Sequence, residues 1–271
     1  MRFGQRLQTK FREEYGVDRF GKYELILGLG IDLFEGWKYQ ELVSSGYLDK
    51  IKSIEILRKS GRKVENNLFE GTKGKRKILY LNLPYSASRA ATLWEPYFCH
   101  GFTDRAVAIG WCSDLTNRLE IGSLIIPTQV TAGEGMSAYY FPDGNIPPQL
   151  KRSYVAKPSK RMMISLSDYL QRSGLEPLVG KSYSIESFNC ETKSLVKELH
   201  KDGFCGIDLE TSAFLSAAKF HGKEAVVVLA VSDKPYRSFH NYIFPRNEIP
   251  KYFFDRVKDV VKLSTSFLIN S

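Results

Sequence analysis

GIDLETSAFLSAAKFHGKEAVVVLAVSDK, residues Gly206 to Lys234, is the stretch that decides the fold. From Glu210 onward the small and apolar residues Ala213, Phe214, Ala217, Ala218 and Phe220 recur at helical spacing, and His221-Gly222 supplies the stop. Ala225 to Val231 then runs apolar without a break over strand length, the pattern of a strand buried on both faces of a largely parallel sheet. Asp233 falls just beyond that strand's carboxyl end, which is where open α/β sheets bind their ligands. Glu210, in the first turn of the preceding helix, is placed to face the same crevice. On local grounds alone Glu210 also reads as a helix N-terminal charge and Asp233 as a turn residue.

Working outward, Lys77 to Leu83 reads as a strand, and Ala106 to Ile109 as another that runs into Gly110-Trp111-Cys112-Ser113. Tyr23 to Gly30 reads as the first strand, and Leu119 to Pro127 as a later one. Beyond Lys251, residues Tyr252, Phe253, Val257, Val260, Val261 and Leu263 keep helical periodicity and predict a last helix packed on the sheet. The longest candidate loop, Tyr139 to Lys160, carries Asp143-Gly144, Pro147-Pro148 and Pro158; a loop of that length reads as a lid or as decoration.

At 271 residues with 43% hydrophobic content the chain is expected to form one domain, 1–271, with residues 1–22 a basic N-terminal extension. No run approaches the length of a membrane span and the charged N-terminus is unlike a secretory signal, so a cytoplasmic protein with no membrane partner is expected. Cys99, Cys112, Cys190 and Cys205 form no CxxC pair, and neither a metal site nor a disulfide framework is expected. The formal net charge is +9, with basic clusters at Arg58 to Lys63, Lys73 to Lys77 and Lys151 to Arg161. These lack aromatic interleaving and any nucleic-acid-binding motif, so no nucleic-acid partner is expected; they read as solvated surface or as an anion patch.

The stretch around Glu210 and Asp233 resembles the nucleoside phosphorylase and nucleosidase superfamily, whose members cleave the glycosidic bond of nucleosides. Asp208-Leu209-Glu210 matches the family's acidic-Met-Glu, with Leu209 for Met, and Ser232-Asp233 its later Ser-Asp. Gly180 to Phe188 matches Gly-x-x-x-Ser-x-acidic-x-Phe, and Ile121 to Ile126 and Thr131 to Ser137 match weaker segments in the same order. The resemblance covers about Leu25 to Lys234. It implies a three-layer α/β/α fold around a central, largely parallel mixed sheet, no metal or organic cofactor, and a homodimer or larger homo-oligomer. It implies that Glu210 holds the ribose hydroxyls, that Asp233 protonates N7 of a purine, and that Phe188 stacks on the base; Leu209, Ser232, Asn189 and Trp111 complete the expected binding set. The ligand implied is a purine nucleoside or nucleotide.

Departures from the family pattern bear on the nucleophile. Where phosphorylases of the family carry a phosphate-binding Arg and hydroxyl, this chain has Ala108 and Trp111. A dianion without a guanidinium fork loses its strongest contacts, so a water-using nucleosidase, like those acting on methylthioadenosine and S-adenosylhomocysteine, is expected. By resemblance its water base is Glu35, five positions past Gly30, with Asp32 the competing candidate. Ser86-Ala87 replaces paired glycines, crowding the sugar or phosphate edge, and Asp114 replaces a small residue beside the base pocket. A phosphorylase with a relocated Arg89 or Arg237, and an inactive purine-binding or assembly protein, are the other two readings.

Overall fold

A strand with no polar face has to be covered on both sides, and β12 (Glu224–Asp233) is: Ala225, Val227, Leu229 and Val231 pack into one apolar layer, Val226, Val228 and Ala230 into the other. The structure, a computed structural model, describes residues 23–54, 56–57, 63–64, 68–99, 101–140, 154–235 and 249–271. The N-terminal extension, residues 58–62 and 151–153 of the basic clusters, Arg237 and the greater part of the expected loop at 139–160 lie outside the described residues.

The remaining strands are β1 (Tyr23–Leu29), β2 (Lys50–Ser53), β3 (Ile56–Leu57), β4 (Lys63–Val64), β5 (Leu68–Lys73), β6 (Arg76–Leu83), β7 (Thr103–Asp114), β8 (Leu124–Gly133), β9 (Val155–Ala156), β10 (Leu178–Ile185) and β11 (Gly206–Asp208). The main sheet runs β11-β10-β8-β12-β7-β1-β6-β5-β2, with β9 on β8. Its centre is parallel: β1 pairs with β6 and β7, β7 with β12, and β10 with β8 and β11. The β2, β5 and β9 pairings are antiparallel, and so, inside the sheet, is the short β8–β12 pairing of Leu124 and Ile125 with Ala230 and Leu229. β11 also pairs antiparallel with the end of β7, Gly206 to Asp114 and Ile207 to Ser113, so the sheet curls back on itself there.

The helices are α1 (Glu41–Ser44), α2 (Ala87–Cys99), α3 (Lys160–Arg172), α4 (Lys193–Lys201), α5 (Thr211–Phe220) and α6 (Lys251–Asn270). Trp94 and Phe98 of α2 each lie 5.7 Å, centroid to centroid, from Phe214 of α5 and cover one face. Met162, Leu166 and Leu170 of α3 join Phe253, Val257, Val260 and Val261 of α6 on the other. This is the expected mixed sheet with helices on both sides. β8 starts at Leu124, later than the apolar pattern predicts. Gly122 sits at φ 83°, and the Gly122 N–H and the Ser123 carbonyl bond Val231, so Leu119 to Ser123 is a turn. No helix among the described residues is long and apolar enough to cross a membrane.

Candidate active site

The carboxyl ends of five strands meet at a cavity of about 330 Å³. Leu29 comes from β1, Trp111, Cys112 and Ser113 from β7, Ile185 from β10, Ile207 and Asp208 from β11, Ser232 and Asp233 from β12. Tyr85 reaches in after β6, Phe188 and Glu191 after β10, and Leu209 and Glu210 from the head of α5, with Ile249 closing the wall before α6.

Glu210 is the N-cap residue of α5 and is only 4% exposed. Its Oε1 accepts the Ser86 N–H at 2.6 Å. Ser86 adopts φ 85°, a conformation glycine takes freely, so the substitution for the family's glycine keeps the left-handed backbone and aims an amide at Glu210. Asp208 holds the helix start: its Oδ2 accepts the N–H groups of Glu210 and Thr211 at 3.2 and 2.7 Å and the Thr211 hydroxyl, and its Oδ1 accepts the Ser184 hydroxyl at 2.6 Å. Burial, and after it the charge of Asp208, pushes the Glu210 carboxyl up to about 8. Burial also raises Asp233, whose Oδ1 accepts the Ser232 hydroxyl at 2.7 Å.

The apolar wall is aromatic. Tyr85 meets Trp111 edge-on at 6.3 Å and Phe188 at 5.9 Å, and Trp111 meets Phe253 of α6 at 5.2 Å. The indole Nε1 of Trp111 is buried with no hydrogen-bond partner among the described residues. Gly30, at φ 65°, makes room for this wall, since a Cβ there would lie 2.6 Å from the Tyr85 ring. Gly30→Ala is expected to destabilise the protein by about 1–2 kcal/mol from the backbone conformation alone, more with the Tyr85 clash, read as a lower Tm. An unchanged Tm would place Gly30 in a relaxed conformation instead.

Six of the expected residues, Asp233, Ser232, Glu210, Leu209, Phe188 and Trp111, thus share one cavity. Asp32, Glu35 and Asn189 are not part of its lining. The Oδ1 of Asp32 accepts the Phe34 N–H at 2.9 Å and the Asn82 side chain at 2.7 Å, so this acid organises the turn after β1. Glu35 follows in the same turn, its N–H on the Asp32 carbonyl. Asn189 is exposed in the short 3-10 turn Phe188–Cys190, where its N–H takes the Ser187 cap. Asp114, expected beside the base pocket, points away from it: its carboxylate accepts the N–H groups of Thr116 and Leu119 and the Thr116 hydroxyl. Glu134 of the TAGEGMS segment is buried behind α5, where its Oε1 accepts the Ser212 hydroxyl at 2.6 Å.

Sequence reading missed Tyr85, Ser113 and Glu191. Tyr85 directly precedes the Ser86-Ala87 pair, and Ser113 lies near the end of the strand containing Trp111, so both had a positional signal. Glu191 had none, because only the 3-10 turn folds it back into the cavity. It is 5% exposed, and burial, then the charge of Asp233, pushes its carboxyl up to about 8. Four carboxylates therefore line the cavity, and no Lys, Arg or His does so among the described residues.

Solved structures share this architecture. A uridine phosphorylase from Vibrio fischeri ES114 superposes with a TM-score of 0.69 at 17% identity over 94% of this chain and 93% of its own. A purine nucleoside phosphorylase from Toxoplasma gondii in complex with immucillin-H gives 0.69 at 14% identity over 93% and 92%. In sequence, the DeoD-type purine nucleoside phosphorylases of Bacillus thuringiensis (strain Al Hakam) and Bacillus mycoides (strain KBAB4) are 26% identical over 132 residues, 47% of this chain. That match spans about half, 51%, of the length of these curated relatives. The family model for the phosphorylase superfamily matches residues 36–246, most of the described sheet and every lining residue from Tyr85 to Asp233, and the chain belongs to that superfamily.

Proposed function

We propose that the protein is a purine nucleosidase, cleaving the N-glycosidic bond of a purine nucleoside with water as the nucleophile. The observation that carries the reading is the make-up of the cavity: four carboxyl groups and no Lys, Arg or His among its described lining residues. A phosphate dianion brought into such a site finds no guanidinium or ammonium to offset its desolvation, and it would repel every carboxyl there that ionises. Ala108, where the family's phosphorylases place an Arg, is fully buried in β7 between Leu27 and Val227, and Trp111 fills the adjoining position. The same electrostatics favour a nucleoside over a 5′-phosphorylated nucleotide. Positive charge developing on the sugar as the bond breaks is, by contrast, stabilised there.

In this reading the purine lies against Phe188 and Trp111. Glu210 accepts hydrogen bonds from the ribose hydroxyls, and Asp233, whose hold on a proton is strengthened by burial, donates to N7 so that the base leaves neutral. The electron pair of the C1′–N9 bond goes to the purine, and water forms the new bond to C1′. A homo-oligomer belongs to the same reading on the family resemblance, and a cytoplasmic location on the charged N-terminal sequence and the lack of a long apolar run.

The names of the relatives favour phosphorolysis, with Arg89 on the exposed start of α2 or Arg237 as phosphate ligand. One experiment separates the two: product identification by mass spectrometry in phosphate buffer and in a phosphate-free control. Free ribose at a rate indifferent to phosphate is expected, and ribose 1-phosphate as main product overturns the hydrolase. Run in the same assay, Glu35→Gln and Asp32→Asn test whether a turn carboxylate takes the water's proton from outside the lining; near-complete loss in either assigns it that role.

A further inference from the structure

We propose that Glu191 holds, through the Ser113 hydroxyl, the proton reserve of Asp233, so that the working acid of the cavity is a pair of carboxyls; this rests on the role given to Asp233 above. Ser113 of β7 stands in register with Asp233 of β12, and its hydroxyl serves both acids. Its Oγ lies 3.4 Å from Glu191 Oε2 and also hydrogen-bonds the Asp233 side chain; the single hydroxyl proton goes to whichever acid is ionised, and the oxygen accepts from the one that is protonated. The second oxygen of Glu191, Oε1, is buried with no hydrogen-bond partner among the described residues. Nothing in the local fold accounts for an acid at this cost: the next helix, α4, is capped by Thr192, whose hydroxyl accepts the Leu195 N–H.

Among the described residues that line the cavity with Glu191, the titratable groups are all acidic or neutral: Asp233 of β12, Cys112 of β7, Asp208 of β11, Glu210 at the head of α5 and Tyr85 after β6; the charge of Asp114 also bears on Asp233. Two buried carboxyls linked by one hydroxyl, without a cation among the described residues nearby, favour retention of a shared proton. After Asp233 gives its proton to N7, Ser113 passes its hydroxyl proton to Asp233 and takes one from Glu191. The attacking water, on bonding C1′, releases the proton that restores the pair, so no other donor is consumed.

The test is the pH dependence of kcat for guanosine and adenosine against their N7-methylated cations, whose bases leave without needing a proton. In the wild type, release from the unmethylated nucleosides is expected to fall as pH rises through about 8, where Glu191 loses its proton and the reserve is spent. Glu191→Gln removes the reserve and the neighbouring charge, so Asp233 ionises at lower pH. The falling limb should move down by about one pH unit or more, and the rate at pH 7.5 should drop about 10-fold. Ser113→Ala should lower the same rate, while N7-methylated substrates stay within about 2-fold in both variants. An unmoved limb, or equal loss with methylated and unmethylated substrates, overturns the relay, the second outcome marking a packing role. If wild-type protein releases no base from any of the four nucleosides, the glycosidase reading falls and takes the relay with it; retained cleavage with an unmoved limb sinks the relay alone.

Discussion

Asp233→Asn is expected to lower purine release by about 10²-fold or more, the scale of losing a general acid, while leaving the fold intact. The substitution is isosteric, and the Ser232 hydroxyl that now donates to Asp233 Oδ1 at 2.7 Å keeps an acceptor in the amide. What disappears is the transferable proton. Burial raises the Asp233 carboxyl, and the amide matches the neutral form that burial favours, so the Tm of the variant should equal or exceed that of the wild type. N7-methylated nucleosides, which leave without protonation, should still be cleaved. Chromatography of released base with both substrate types decides: unchanged turnover of an unmethylated nucleoside removes Asp233 from the acid role.

What could be read from the chain was whatever depends on neighbours in sequence. The unbroken run Ala225 to Val231 fixes a two-faced strand because each residue must be covered, and the position of Asp233 follows from where that run stops. The helical recurrence after Glu210 places that acid at a helix head in the same way. What could not be read depends on pairing between distant segments. The closure of β7 on β11 rests on a strand of three residues, too short to show a period, yet it brings Ser113 beside Ile207 and places the β7 end in the cavity wall. Glu191 enters through a 3-10 turn whose cap, Ser187, is visible only as one polar residue among several. Counting positions from Gly30 gave Glu35 and Asp32, but side-chain direction in a turn is set by its hydrogen bonds. Here Asn82, 50 residues further along the chain, claims Asp32.

Glu210→Gln is expected to lower kcat/KM by about 2 kcal/mol or more in ΔΔG‡, since it removes a charge that opposes the cationic transition state and weakens the acceptor for the sugar hydroxyls. A 2′,3′-dideoxy nucleoside should then lose little further, and a variant that still distinguishes ribo from dideoxy substrates as the wild type does takes Glu210 out of the sugar site. The same residue carries a stability signature of opposite sign. Its carboxyl is raised from 4.5 to about 8 by burial first and the charge of Asp208 second, so between those pH values the folded state binds more protons at this position than the unfolded chain. Linkage then makes its contribution to stability fall as pH rises across that window: it is fully present below the unfolded value and lost through the folded one. Glutamine mimics the neutral acid. The variant should match the wild-type Tm near pH 4 and exceed it by about 4 °C or more at pH 9, a difference that thermal unfolding reads directly. Sugar binding needs the ionised form that burial resists, so wild-type kcat/KM should rise with pH toward 8 before ionisation of Glu191 cuts it off. A less active variant with a Tm gap constant in pH would assign Glu210 to catalysis while refuting the strained, desolvated charge; a gap that widens with pH alongside the loss of activity ties both to one buried carboxylate.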